Sequence, residues 1–174
     1  MMIRRRRHLL TLLSAFWVMT STSLLVADQL PSPSGDVVLR VSGGIEVTNS
    51  EDGAEFDLAM LRALDSHEIE TTTIWTDGDQ TFVGVELGTL LKYLKASGSI
   101  ISAYAINDYF IELPFEDAEP GAALIAYERN GVEMSVRDKG PLWIVYPYDH
   151  SERFRTEVFF SRSVWQLDRL IIER

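Results

Sequence analysis

Cysteine is absent from all 174 residues, which excludes disulfides, thiolate metal ligands, cysteine nucleophiles and a lipoprotein anchor. A chain of this length buries enough apolar surface to fold without such staples. Histidine is scarce as well, with three residues in total. His67 and His150 stand far apart with no His-Glu-x-x-His or cysteine–histidine spacing, so a zinc site has no support and both are expected at the surface. There is no Gly-x-Ser-x-Gly elbow, and Ser161 beside Arg162 has no neighbouring histidine to activate it, which argues against serine hydrolysis. Rossmann and P-loop glycine patterns are missing too. Asp77-Gly78-Asp79 places two carboxylates where they could touch a hard cation, yet it lacks the longer calcium-loop pattern and is expected as a solvated hairpin turn.

Positive charge is in short supply: 16 Lys and Arg stand against 26 Asp and Glu, a net charge of −10. Four of the 16 are Arg4 to Arg7, ahead of an apolar stretch at 9–19, a polar break at 20–23 and Leu25-Val26-Ala27, whose small last residue suits signal peptidase. A cleavable export signal over residues 1–27 is therefore expected, and a periplasmic or secreted location. A retained anchor would need about 20 mostly apolar residues, and Ser14 and the 20–23 cluster interrupt the run. Arg6-Arg7-His8-Leu9-Leu10 also resembles the twin-arginine export motif. Cleavage removes 27 of the 174 residues and four of the 16 basic ones, leaving 147 residues with 12 basic against 26 acidic side chains, a charge of −14. Such a surface repels nucleic acid and anionic lipid, and favours solubility or a basic partner.

Pro and Ser at 28–35 read as a short linker, and 36–174 as a single domain without repeats or low-complexity tracts. Strands are expected at 37–41 and 45–47, joined through Gly43-Gly44, then a helix over 56–64 capped by Asp57 with Leu58, Leu61 and Leu64 facing inward. Leu87, Leu90, Leu91 and Leu94 recur at helical spacing, with Lys92 and Lys95 on other faces and Gly98 placed to end the helix. Short β-forming runs bounded by turn residues predict strands at 69–75, 101–106, 109–113, 122–127, 142–146 and 167–172. The class is α+β, strand-dominated, with mixed sheets and a few short helices.

Gly84-Val85-Glu86-Leu87 leads into Leu90-Leu91, followed by Asn107-Asp108-Tyr109, Asn130-Gly131, Gly140-Pro141-Leu142 and Val164-Trp165. In that order and spacing the segments resemble the molybdopterin-binding oxidoreductase domain, the catalytic fold of the sulfite oxidase family. The resemblance spans 56–172, rests on the order of the motifs, and implies a sulfite oxidase-like molybdopterin-binding fold. That family holds molybdenum through a cysteine thiolate, which would fall near 71–76, where this chain has only threonine, isoleucine and tryptophan. Where the family reads His-Gly, then Pro, then Arg, this chain has Lys139-Gly140-Pro141-Leu142-Trp143, and where it reads Lys-Trp, Val164-Trp165. A threonine hydroxyl is not ionised near neutral pH and cannot replace the thiolate. The pterin phosphate would also need cations that Lys139, Arg137 and Arg162 supply only in part. The resemblance thus implies a scaffold kept after its redox centre was lost, with no cofactor, metal ligand or catalytic residue nominated and molybdopterin as the disfavoured alternative.

Candidate ligand-binding residues are Asn107, Asp108, Tyr109, Lys139, Trp143, Arg162 and Trp165. Asn107-Asp108-Tyr109 lies between two strands, at a corner that approaches the cofactor pocket in the family it resembles. The competing reading is a turn whose Asn and Asp side chains satisfy local amides while Tyr109 enters the core. Trp75, Trp143 and Trp165 come from segments that this fold would gather, giving either core packing or an aromatic-lined cleft. Trp143 in place of the family's arginine is what a pocket retuned from phosphate to an apolar or aromatic ligand would carry. The acidic stretch from Glu112 to Glu119 and the Arg153-Phe154-Arg155 segment receive no role. The functional expectation is an exported binding module for a small molecule or a periplasmic or membrane protein partner. The alternative is a molybdopterin-dependent oxidoreductase with a non-cysteine metal site.

Overall fold

Alternating side chains build the first sheet. In β1 (Val37–Gly43), Leu39 and Val41 are buried while Arg40 is exposed, the period-two pattern of a strand with one solvated face. β1 pairs antiparallel with β2 (Ala54–Asp57) and parallel with the C-terminal strand β10 (Leu167–Glu173). β10 pairs antiparallel with β5 (Ile100–Ala105), and β5 with β6 (Phe110–Pro114), giving the order β2-β1-β10-β5-β6. The computed structural model describes residues 30–174; the export signal expected over 1–27 lies outside the described residues.

The second sheet is antiparallel. It runs β3 (Ser66–Thr71), β4 (Gln80–Glu86), β7 (Leu124–Arg129) and β8 (Val132–Glu133), with β9 (Trp143–Val145) also on β7. Asn130 and Gly131, at φ 53° and 77°, supply the left-handed pair of a two-residue hairpin turn between β7 and β8. Three short α-helices complete the α+β, strand-dominated architecture among the described residues: α1 (Leu58–Arg62), α2 (Leu87–Tyr93) and α3 (Glu157–Arg162). Both sheets, α1 and α2 feed one core, in which Leu39, Phe56, Leu61, Phe82, Leu87 and Trp143 are fully buried. None of the described helices is long and apolar enough to cross a membrane.

Several boundaries differ from the sequence reading, each for a physical reason. The helix expected from residue 56 starts at Leu58, because Phe56 is paired with Leu39 in the ladder of β1 and β2. Asp57 is the N-cap as expected, accepting from Met60 N at 2.8 Å, and its other oxygen accepts from Ser34 N and Gly35 N at 2.7 and 2.8 Å. Those bonds, with Leu30 buried, tie the stretch expected as a linker to the domain. Residues 45–47 form no strand; Glu46 N and Val47 N instead donate to Leu94 O. α2 ends before Gly98, through Lys95 at φ 50°, while Gly98 lies where a Cβ would come 2.4 Å from Glu173 O. The strand expected at 69–75 is shifted back to Ser66–Thr71, and the following residues turn, with Gln80 Nε2 donating to the carbonyls of Asp77, Gly78 and Asp79.

Candidate functional site

Residues 163–167 stitch the two sheets together. Val164 O accepts from Ile144 N at 2.9 Å and Leu167 N donates to Leu142 O at 3.0 Å, while Gln166 O accepts from Ile106 N at the end of β5, also at 3.0 Å. This crossing brings α3, the β5–β6 hairpin and the turn after β3 around a cleft of about 380 Å³. Its walls carry four aromatic side chains, Trp75, Tyr109, Phe160 and Trp165, with Ala105 and Val164. The polar members are Asn107, Ser161 and Ser163.

Trp75 is the hub of the aromatic wall. Its ring meets Trp143, Phe160 and Trp165 edge-on, with centroids 5.7, 5.8 and 5.6 Å away, and Tyr148 at 6.4 Å. Edge-to-face contacts of this kind place the positive ring edge on the negative face and hold large side chains in fixed orientations. Trp143 backs the wall with its Nε1 donating to Ser163 O at 3.2 Å. Ser163 Oγ donates to Phe159 O at 2.7 Å, so the Tyr148 hydroxyl donates to Ser163 Oγ at 2.5 Å. Deeper still, Tyr146 O–H donates to the buried Asp117 Oδ2 at 2.9 Å, and Arg162 Nη1 reaches Asp117 Oδ1 at 3.2 Å. Burial pushes Tyr148 up to about 12 and Tyr146 well above the ordinary phenol range. It also raises Asp117, against the opposing pull of Tyr146 and Arg162. Both tyrosines are therefore protonated at neutral pH and serve as scaffold donors.

Of the seven residues nominated from sequence, Asn107, Tyr109 and Trp165 line the cleft. Tyr109 does not enter the core but stands half exposed at the hairpin, where Asn107 Oδ1 accepts from its amide at 3.2 Å. Asp108, at φ 63°, pairs with Arg169 at 2.5 Å and lies outside the lining. The other three also lie outside the lining. Trp143 is fully buried and stands behind the lining residues Trp75, Ser163 and Trp165, because its β9 position points it into the core beside Phe82. Arg162 is held by Asp117 and stacks over Phe159 at 5.3 Å. Lys139 stands over the Trp143 and Trp165 rings, Nζ 5.7 Å from each centroid, without lining the cleft. The sequence reading missed Phe160, Ser161 and Ser163, since six residues of α3 are too few to show a helical period.

Molybdopterin does not fit these residues. The chain has no thiolate, and no Lys, Arg or His lines the cleft to meet a phosphate, with Arg162 already neutralised by Asp117. His67 and His150 are exposed, and no group of three or more metal-ligating side chains occurs among the described residues. No protein-family model and no curated protein matches the chain.

Proposed function

We propose that this protein is an exported binding module which takes a small ligand in the aromatic cleft, on a scaffold of the molybdopterin-binding-domain type without its redox centre. The observation that carries the reading is the cleft itself: about 380 Å³, walled by four aromatic side chains and free of charged ones. Ligand sites are commonly concave, apolar and of 300–1,000 Å³, with a few polar groups to orient the ligand. Export is argued from the basic, apolar and small-residue segments of 1–27, and the lineage from the order of the sequence motifs together with a strand-dominated, two-sheet architecture. A periplasmic or membrane protein is the natural recipient of whatever the module carries or senses.

The test is elemental and pterin analysis of protein exported from a host that makes the cofactor, combined with a ring-compound screen read on the indole signals of Trp75 and Trp165. The expected result is folded protein without molybdenum, whose indole signals shift with saturable ligands. Stoichiometric molybdenum with pterin would replace this reading by the oxidoreductase one.

A further inference from the structure

We infer that the cleft selects an uncharged ring compound bearing a hydrogen-bond acceptor, with Asn107 as the specificity-determining donor; this rests on the small-ligand reading of the same cleft. Charge decides first. No side chain of the lining is charged at neutral pH, so an anion entering the cleft would lose its water without gaining a countercharge. A cation fares no better: no carboxylate lines the cleft, and the Lys139 ammonium, 5.7 Å from the Trp165 centroid, already uses that ring's quadrupole.

The hydrogen-bond inventory decides next. The hydroxyl protons of Ser161 and Ser163 are committed to Val158 O and Phe159 O, each at 2.7 Å, and the Trp143 N–H to Ser163 O. Asn107 uses its oxygen to accept from Tyr109 N, which leaves its NH₂ as a donor. The indole N–H groups of the lining residues Trp75 and Trp165 donate to no described residue and neither is a buried orphan, and an indole can only donate. The phenol of Tyr109 can do either. What remains at the cleft is thus donor-rich and flat-walled, which matches a ring carrying a carbonyl or similar acceptor.

The experiment titrates ¹⁵N-labelled protein with four probes: acetophenone, ethylbenzene, benzoate and benzyltrimethylammonium. We expect acetophenone to shift the Trp75 and Trp165 indole signals and to bind about tenfold more tightly than ethylbenzene, with both ions weaker again. Asn107→Asp keeps the oxygen that receives Tyr109 N but removes the donor. It should lower acetophenone affinity about tenfold and leave ethylbenzene unchanged. Ethylbenzene or either ion binding as tightly as acetophenone would overturn the ligand class while the cleft reading survives. Silence from all four probes would overturn both. Should Asn107→Asp fail to fold, the comparison of the four probes on the native protein decides alone.

Discussion

Trp75 and Trp165 are neighbours with different duties. Trp75 packs edge-on against four other rings, so Trp75→Ala should cost about 3 kcal/mol, read as a lower urea midpoint with an unchanged slope. Trp165 is 40% exposed, and Trp165→Ala should cost about 1 kcal/mol or less while abolishing the ligand response of the cleft. Equal stability losses would show that Trp165 is a core residue after all. Asp57 and Asp149 carry the acid sensitivity at this scale. The amides of Met60 and Gly35 hold the Asp57 carboxylate down from 3.8 to about 2, and the Thr72 amide and hydroxyl with Arg155 do the same for Asp149. Both folded values lie below the unfolded one, so their stabilisation is complete above about pH 4 and disappears as the pH falls toward 2. Asp57→Asn should flatten that limb of a stability–pH curve measured by urea unfolding from pH 2 to 7; an unaltered limb would remove Asp57 from the account.

Besides the packing of Phe159 and Phe160, an ion pair from Arg162 to the buried Asp117 holds α3 at the cleft. Arg162→Ala would leave Asp117 buried with only the Tyr146 hydroxyl, at a cost of about 3 kcal/mol. Amide exchange across Glu157–Arg162 should accelerate more than exchange in β5 or β10, and uniform acceleration would mean that the pair supports the whole fold rather than this helix. Two glycines separate backbone packing from backbone conformation. A Cβ on Gly84 would come 2.2 Å from Ile125 O across the β4–β7 ladder, so Gly84→Ala should cost at least about 3 kcal/mol. Gly78 has open space but φ 69°, and Gly78→Ala should cost only about 1–2 kcal/mol, a difference that thermal unfolding resolves. Gly84, Gly140 and Asn130-Gly131 belong to the motifs that carry the family resemblance. Their visible work is structural: a Cβ on Gly140 would meet Met134 O at 1.9 Å, and Asn130-Gly131 makes a hairpin turn.

Across the whole molecule, the last strand sits between the first strand and β5. Removing residues 167–174 would strip β1 and β5 of their shared partner, and the expected result is loss of cooperative unfolding in far-UV circular dichroism. A truncated chain that still melts cooperatively would refute the central role of β10. By itself the sequence determined the α+β class, the Asp57 cap, the leucine face of α2 and the exposure of both described histidines, because each depends on local periodicity or on the chemistry of one side chain. Only the tertiary structure decided that Tyr109 faces the cleft and Trp143 the core, that Arg162 is neutralised by a carboxylate 45 residues away, and that Phe160 completes the wall. Those outcomes depend on strand register and on the crossing of residues 163–167 between two sheets. Both are set by contacts distant in the chain, which leave no periodic trace in it.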